Sequence, residues 1–358
     1  LYSNFVCCIG RDTYGSNESH KNRTGKIELM DFKELFDRFN GKRILVIGDV
    51  MIDSYLRGKV NRVSPEAPVP IVSLEKEEDR LGGAANVAIN LVSMGAKPII
   101  CSVVGDDAQA VSLQELLKTA AVSAEGLVYS SNRITTVKTR IIGNNQQLLR
   151  IDSEQTHAIS QEEEQALIQK IKSLIDIGVD GIIFEDYNKG VLTENCISQI
   201  IAYANANKVI TAVDPKKENF LAYKNVTLFK PNLKELKEGL GLDFSFSQEK
   251  SKFEDAITLL EKELNNSISF VTLSEYGVFI KKEAQQSYFQ AHLRNISDVS
   301  GAGDTVISVA TLCLVAGFSI ELIAQIANIA GGLVCEKSGV VSIEKEQLLL
   351  ETQKLIIG

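Results

Sequence analysis

The sequence predicts an α/β protein in which a mostly parallel central sheet lies between two layers of helices. Short apolar runs alternate with segments of helical period along most of the 358 residues. Runs such as RILVIGD (43–49) and GIIFED (181–186) are apolar throughout, as in strands that are buried on both faces. Strands and helices that alternate in this way form parallel sheets through right-handed crossovers, so we expect ligands at the carboxyl ends of the strands.

The individual elements follow in a regular order. An amphipathic helix, DFKELFDRFNG, precedes the first strand, and the strand KPIICSVVG lies between the helices GGAANVAINLVSMG and DDAQAVSLQELLKTA. After GIIFED, the further strands are VITAVD, VTLFKPN and SISFVTLS. The further helices are TENCISQIIAYANANK, SGAGDTVISVATLCLVAG and ELIAQIANIAGGLVCEKSG.

Two segments, 67–80 and 133–152, depart from this order. They alternate apolar and polar residues without a helix between them, and GNNQ (143–146) is typical of a turn between two strands. We expect them to form a small second sheet, a β lid that excludes water from an active site; an ordinary antiparallel edge is the alternative. Residues 1–29 are polar and predict a disordered extension, which leaves residues 30–358 as one domain.

Composition and charge narrow the class of protein. The net charge of −8 comes from interspersed acidic and basic residues, whereas a nucleic-acid groove needs a basic stripe. The sequence contains no apolar stretch of membrane-spanning length, and we expect no secretory leader, because no charged segment followed by an apolar one opens it. Its six cysteines form no CxxC pair, as is typical of reduced thiols in a cytosol. We therefore expect a cytoplasmic protein with no nucleic-acid or membrane partner.

The strongest functional signal is DVSGAGDTVIS (298–308). Gly301, Ala302 and Gly303 open a long apolar helix, and the N–H groups at such a start bind anions such as phosphate. Asp304 lies in the first turn, where a carboxylate is stabilised in its ionised form. There it could accept the proton of a substrate hydroxyl beside a γ-phosphate. A helix cap with tight packing is the structural alternative.

Two other segments are compatible with ligand binding. Gly82 and Gly83, followed by Asn86, suit a close approach of the backbone to sugar hydroxyls, or close packing of a helix on the sheet. Asn232 and Glu235 are one helical turn apart and could orient a hydrated Mg²⁺ ion, or form a capping box. The sequence lacks both GxGxxG and the Walker motif, which argues against a dinucleotide oxidoreductase and a P-loop enzyme.

Charged residues near the predicted lid are candidates for binding a sugar. Asp53 and Asp186 are each expected just after a strand, where they could bind a sugar diol or could equally form turns. A substrate that carries a phosphate would also need cations. The lid segments and their surroundings offer four, each of which could as easily be solvated: Arg62, Lys138, Arg140 and Arg150.

Together, GGAANVA, KPN and DVSGAGDT resemble the PfkB (ribokinase-like) carbohydrate kinase family. The segments SPEAPVP, NNQQLLRID, EDYNKGVLT and AVDPK further resemble those members that phosphorylate D-glycero-β-D-manno-heptose 7-phosphate at O1, on the route to lipopolysaccharide heptose. The resemblance, which extends over about residues 40–345, implies a three-layer α/β/α ribokinase-like sandwich that uses ATP and Mg²⁺. Many such kinases are fused to a cytidylyltransferase-like domain with an HxGH motif. This sequence lacks the motif, so we expect a separate protein to perform the adenylylation.

The resemblance also implies roles for individual residues. Asp304 would be the catalytic base, and the amides of Gly301, Ala302 and Gly303 would form the anion hole. The nucleotide side would comprise Asn232, Glu235, Ser274, Gly277 and Asn328, with Mg²⁺ held through water by Asn232 and Glu235. The sugar side would comprise Asp53, Gly82, Gly83, Asn86, Asp186 and Lys189.

Other functions remain compatible with the sequence. The same chemistry could act on another sugar, sugar phosphate or nucleoside. A non-catalytic sugar or nucleotide sensor could also use this fold, although an intact GAGD with NxxE favours an enzyme. Because the lid strands have alternating apolar faces, we expect a homodimer that pairs through the lid across a two-fold axis.

Overall fold

The computed structural model describes residues 32–292 and 294–356, so the predicted extension at 1–29 lies outside the described residues. The strands are β1 Arg43–Gly48, β2 Val50–Val63, β3 Pro70–Gly83, β4 Lys97–Gly105, β5 Ser123–Ser130, β6 Val137–Gly143, β7 Gln146–Ser153, β8 Gly181–Glu185, β9 Ile210–Asp214, β10 Leu228–Phe229, β11 Ile268–Thr272, β12 Val278–Lys282 and β13 Gln285–Phe289. The helices are α1 Phe32–Asp37, α2 Ala84–Ser93, α3 Ala108–Thr119, α4 Gln161–Ile177, α5 Glu194–Ala206, α6 Leu233–Leu240, α7 Lys250–Leu264, α8 Ala302–Val315, α9 Ile320–Cys335 and α10 Lys345–Ile356.

The central sheet has the strand order β13-β12-β11-β10-β9-β8-β1-β4-β5. All pairs from β11 to β5 are parallel, and the hairpin β12–β13 adds two antiparallel strands at one edge. Most neighbouring parallel strands of this sheet are joined through helices, as the alternation of elements in the sequence predicted, but β9 and β10 are joined by residues 215–227 without a helix.

Alternate residues of the strands are buried in two separate apolar cores. In β1, Ile44 and Val46 pack in a core with residues of α2, α3, α8 and α9, whereas Leu45 and Ile47 pack in a core with residues of α4, α5 and α7. A sheet that is covered on both faces explains why its strands are apolar without alternation. The predicted three-layer α/β architecture is therefore confirmed.

A second sheet, with the order β3-β2-β6-β7, forms the part of the fold that we call the lid. Asn144 and Asn145 adopt left-handed φ angles of 52° and 64° between β6 and β7, so the predicted turn at 143–146 is confirmed. The lid also includes β2, which the sequence prediction had not assigned to a strand. Asp53, expected just past the first strand, follows β1 closely but lies inside β2, so it does not form a turn.

Charged residues collect where the parallel strands end. Asp49 follows β1, Glu185 and Asp214 end β8 and β9, and Lys230 follows β10. All four are buried, which is costly unless they are paired or functional. This edge of the sheet is the expected ligand edge of a parallel α/β fold. Among the described residues, none of the helices combines the length and apolar character needed to cross a membrane.

Candidate active site

The start of α8 lies at this edge of the sheet. The helix is buried around its whole circumference from Asp304 to Cys313, so its position is fixed by packing against α2 and α9. Gly301 precedes it with a left-handed φ of 79°, and a Cβ at this position would lie 3.0 Å from Val340. The N–H groups of the first turn, which include those of Gly303 and Asp304, have no partner within the helix and remain suited to an anion.

The carboxylate of Asp304 is held by two donors from other elements. The Asn86 amide in α2 donates to Oδ2 over 2.6 Å, and the Tyr187 hydroxyl donates to Oδ1 over 3.1 Å. Burial raises the pKa of Asp304 from 3.8 to about 6, and the negative charge of Asp214 adds to this, although both hydrogen bonds lower it. The helix start therefore does not determine the pKa alone, but the group is still mostly ionised at pH 7.

Tyr187 is a site residue that the sequence reasoning missed. Burial and the charge of Asp304 raise the pKa of its hydroxyl well above the usual value, so it stays protonated and can donate. Asp49 positions the loop that carries it by accepting hydrogen bonds from the backbone N–H groups of Tyr187, Lys189 and Val191, over 3.0, 3.1 and 3.2 Å. The segment EDYNKG offered a signal, because a tyrosine directly after a strand end lies at the ligand edge.

Asp186 belongs to the interior and not to the site. Its Oδ1 accepts the backbone N–H of Asn188 over 2.8 Å. Its Oδ2 accepts the Tyr223 hydroxyl over 2.8 Å and the Asn219 amide over 3.0 Å. Since both oxygens are occupied by donors of the protein, the structure supports the turn-forming role and not the expected sugar contact.

Asp214 joins the start of α8 to the predicted nucleotide side. Lys230 forms a buried ion pair with it at 2.8 Å, and a Cβ on Gly303 would lie 3.5 Å from its Oδ2. Lys216 lies 3.8 Å from Asp214 and 2.6 Å from Glu235. Burial lowers the pKa of Lys216, but the charges of Asp214 and Glu235 outweigh it and raise the pKa overall. These cations therefore stay charged beside the proposed phosphate position.

Asn232 and Glu235 form a capping box at the start of α6. Asn232 Oδ1 accepts the Glu235 N–H over 2.8 Å, and Glu235 Oε2 accepts the Asn232 N–H over 2.9 Å. The structural alternative considered for this pair is thus present, and Glu235 Oε1 is taken by Lys216. Among the described residues, the amide nitrogen of Asn232 has no hydrogen-bond partner, so it remains able to donate to a phosphate.

A group of acidic side chains has the chemistry of a divalent cation site. Oxygens of Glu185, Asp214 and Asp304 all lie within 4.8 Å of one another, and the three residues are buried. Glu185 Oε2 has no hydrogen-bond partner among the described residues. Burial and the neighbouring carboxylates raise the pKa of Glu185 well above its usual value. Oxygen ligands of this kind are those that Mg²⁺ prefers.

The other residues expected on the nucleotide side surround the end of β13. Ser274 begins a 3-10 turn one residue after β11, and Gly277 ends it with a φ of 87°. A Cβ on Gly277 would lie 2.0 Å from the carbonyl oxygen of Phe289. Asn328 donates from α9 to the carbonyl of Gln290 over 2.8 Å. The structure thus brings Gly277 and Asn328 to one short stretch of backbone.

The residues expected on the sugar side meet where β3 runs into α2. Gly83 is the cap of α2 with a φ of 60°, three residues before Asn86. A Cβ on Gly82 would lie 2.5 Å from Asp53 Oδ2, so only glycine allows this approach. Asp53 forms an ion pair with Arg140 at 2.5 Å. Asp53 and Asn86 line the same cavity, of about 630 Å³.

Two of the predicted cations lie beside a shared carboxylate. Lys138 in β6 and Lys189 lie 3.5 and 2.6 Å from Glu154. Of the other lid cations considered for a phosphate, Arg150 pairs with Asp152 over 2.8 Å, and Arg62 is exposed near the far end of β2. The structure therefore joins Lys138 and Lys189 but does not bring Arg62 to the site.

Comparison with known proteins identifies relatives over most of the chain. The family model described as pfkB family carbohydrate kinase matches residues 42–347. A protein of Helicobacter pylori named "Bifunctional protein HldE" is 39% identical over 311 residues, which cover 86% of this chain and 66% of that protein. A protein of the same name from Methylobacillus flagellatus is 39% identical over 87% of this chain and 63% of its own length.

Solved structures agree with this result at the level of the fold. Phosphofructokinase-2 from Escherichia coli, in complex with potassium, superposes with a TM-score of 0.71 at 16% identity, covering 89% of this chain and 100% of that one. A ribokinase of Arabidopsis thaliana, complexed with ribose and ATP, superposes with a TM-score of 0.65 at 16% identity, covering 88% and 99%. The ribokinase-like fold expected from the sequence is therefore confirmed.

Proposed function

Because the chain belongs to the pfkB family of carbohydrate kinases, we propose that it transfers the γ-phosphoryl group of ATP to O1 of D-glycero-β-D-manno-heptose 7-phosphate. Membership of this family confirms the predicted class of enzyme, an ATP-dependent carbohydrate kinase. The observation that carries the proposed chemistry is the buried Asp304 carboxylate, held by Asn86 and Tyr187 at the start of α8.

In this mechanism Asp304 accepts the proton of the sugar hydroxyl as the hydroxyl attacks phosphorus. Its pKa of about 6 suits a general base near neutral pH, because the group is ionised but retains affinity for a proton. Asn86 and Tyr187 orient the carboxylate. The amides of Gly301 and Gly303 stabilise the charge on the transferred phosphoryl group, which is the main task in phosphoryl transfer. The expected contribution of Ala302 requires a shift, because its N–H donates to the carbonyl of Val299 over 3.3 Å. Lys230 and Lys216 supply further positive charge.

The residues at the site fit a magnesium ion. Glu185 and Asp214 would hold it. The family resemblance also implies contributions through water from Asn232 and Glu235, but their side-chain oxygens accept from each other's backbone N–H and from Lys216 in this structure, so Glu185 and Asp214 are the stronger candidates. When bound, Mg²⁺ neutralises phosphate charge and aligns the nucleotide. The unpartnered oxygen of the buried Glu185 favours this reading, since burial without a partner is otherwise costly.

The choice of sugar rests on the sequence and on the relatives. The lid segments SPEAPVP and NNQQLLRID resemble the heptose 7-phosphate kinases, and the curated relatives at 38–39% identity carry the name HldE. A coupled ADP assay with purified protein tests it. Turnover with heptose 7-phosphate at least about 100-fold more efficient than with fructose 6-phosphate or ribose supports the proposal, since one absent polar contact changes efficiency by such factors. A preference for either other sugar would contradict it.

Two further expectations belong to this proposal. Ile141, Leu149 and Ile151 share one face of the lid, where Leu149 and Ile151 are 53% and 48% exposed. This exposed apolar strip supports a homodimer that pairs through the lid.

We also propose a cytoplasmic location, where ATP is available. ATP turnover that does not depend on any sugar would favour the alternative, a sensor on the same fold.

A further inference from the structure

Three arginines of the lid surround one aromatic ring. The guanidinium carbons of Arg57, Arg80 and Arg140 lie 5.5, 5.1 and 5.2 Å from the centre of the Tyr55 ring. Each contact is within the range of a cation–π interaction, but such interactions do not cancel the repulsion between like charges. The cluster therefore concentrates positive charge at one point of the lid.

The register of the strands places this arginine cluster on one face of the lid. Tyr55 is opposite Arg140 in β6, and Asp53 is opposite Arg80 in β3, so these side chains share a face with Arg57. The cations on this face outnumber its carboxylates, Asp53, Glu78 and Asp152, even when Glu154, which follows β7 and contacts Lys138, is counted with them. Its cations are Arg57, Lys76, Arg80, Lys138, Arg140 and Arg150.

Internal ion pairs neutralise only part of the cluster. Arg140 pairs with Asp53 and Arg80 with Glu78, each over 2.5 Å. Glu78 is shared with Lys76, at 2.6 Å. Arg57 has no ion pair among the described residues, and its side chain is only partly exposed. A half-buried cluster with surplus positive charge is suited to a dianionic ligand, because arginine binds phosphate through two parallel hydrogen bonds.

One cavity lies between the cluster and Asn86, the residue that holds the proposed base. Tyr55, Arg80 and Asn86 line the same cavity of about 630 Å³, and Asn86 donates directly to Asp304. Lys337 and Glu344 also line it but pair with each other over 2.6 Å, so they add no net charge. Of the three arginines, Arg80 lines the cavity itself, whereas Arg57 and Arg140 approach it through the Tyr55 ring. A ligand that contacts Asn86, which holds Asp304, can therefore also place an anionic group at the edge of the arginine cluster.

We propose that Arg57, Arg80 and Arg140 form the site that binds the phosphate group already carried by the sugar substrate. The inference rests on the proposed sugar-kinase function and adds two residues, Arg57 and Arg80, that the sequence did not single out. It gives the arginine cluster the task of selecting phosphorylated over unphosphorylated sugars. Lys138 and Lys189, which face Glu154, are then left to contact hydroxyl groups.

The test uses Arg57→Gln and Arg80→Gln, with Lys59→Gln as the matched control. Lys59 is a cation of the same strand, β2, but pairs with Glu75 on an exposed part of the lid. Loss of one charge-assisted contact should raise KM for heptose 7-phosphate about 10- to 100-fold in each arginine variant, with kcat and KM for ATP changed less than about twofold. The control should behave as the wild type.

A second measurement separates this site from the proposed reaction. Inorganic phosphate should inhibit the wild type competitively against the sugar phosphate and raise its melting temperature, and both effects should weaken in the two arginine variants. Unchanged KM values and unchanged phosphate binding overturn the site even if the kinase activity is confirmed. If the wild type instead phosphorylates no sugar phosphate, the proposed reaction fails, and arginine-dependent binding of phosphate still supports the site.

Discussion

Replacing Asp304 by asparagine should abolish catalysis and stabilise the protein. The proposed general base is a buried carboxylate, and its charge is only partly compensated by Asn86, Tyr187 and Lys230. Asparagine keeps nearly the same shape but cannot accept a proton at neutral pH. We expect kcat to fall by at least about two orders of magnitude, as for loss of a general base, while ATP still binds.

The gain in stability follows from the shift in pKa. A rise from 3.8 to about 6 corresponds to about 3 kcal/mol, at 1.36 kcal/mol for each pH unit. Because the folded state has the higher pKa, protonation favours folding, and this contribution is complete below pH 3.8 and is lost as pH rises through 6. Between pH 5 and pH 8 the wild type should lose about 1.4 kcal/mol of stability through this group, and the asparagine variant should not.

Urea unfolding at pH 5 and pH 8, without metal or nucleotide, measures this difference. Comparing the two pH values cancels any packing change that asparagine introduces, because such changes do not depend on pH. Asp107→Asn is the matched control. Burial raises the pKa of Asp107, but hydrogen bonds from Thr135 and Ala110 outweigh it, so the carboxylate stays ionised throughout this range. Its replacement should therefore show no difference between the two pH values.

Two results would refute the reasoning about Asp304. A variant whose advantage over the wild type is no larger at pH 8 than at pH 5 would mean that the folded carboxylate is not held at a raised pKa. Retained kcat would remove Asp304 from the role of base, whatever its effect on stability.

Three further predictions concern the same site and the lid. Tyr187→Phe removes a donor to Asp304 and should shift the acidic limb of kcat/KM upwards by on the order of one pH unit, whereas the exposed Tyr129→Phe should not. In the wild type, kcat/KM should fall about tenfold for each pH unit below about 6, in a profile measured with coupled ADP detection. Ile151→Lys should convert the proposed dimer to a monomer in size-exclusion chromatography with light scattering, and Ile177→Lys, at the exposed end of α4, should not.

The sequence was most informative where the relevant signal is local. Gly301 and Asp304 are identified by their position at the start of a long apolar helix, and the structure has that helix start where it was expected. The alternation of strands and helices likewise predicts the layers of the fold. The missed strand β2 also carries a period of two, with Ile52 and Leu56 on one face and Asp53 and Tyr55 on the other. Its charged residues obscured that signal.

Contacts between distant residues could not be predicted in this way. Tyr187 and Asp304 are 117 positions apart, and the donors that turn Asp186 into the interior are 33 and 37 positions away. A carboxylate after a strand therefore predicts a place at the ligand edge but not the direction of the side chain. The pKa of Asp304 depends in the same way on burial and on Asp214, which only the fold brings together.

The way in which the lid is attached limits how new specificities can arise. A single residue, Asp49, separates β1 from β2, and β3 runs without a loop into α2, whose first turn carries Asn86. A chimaera that receives the whole lid of another sugar kinase therefore also changes both junctions. These junctions position Asn86 and the loop whose backbone N–H groups donate to Asp49. Grafts that retain these two junctions and exchange only the outer halves of β2 and β3 should alter substrate choice while leaving the proton acceptor in register.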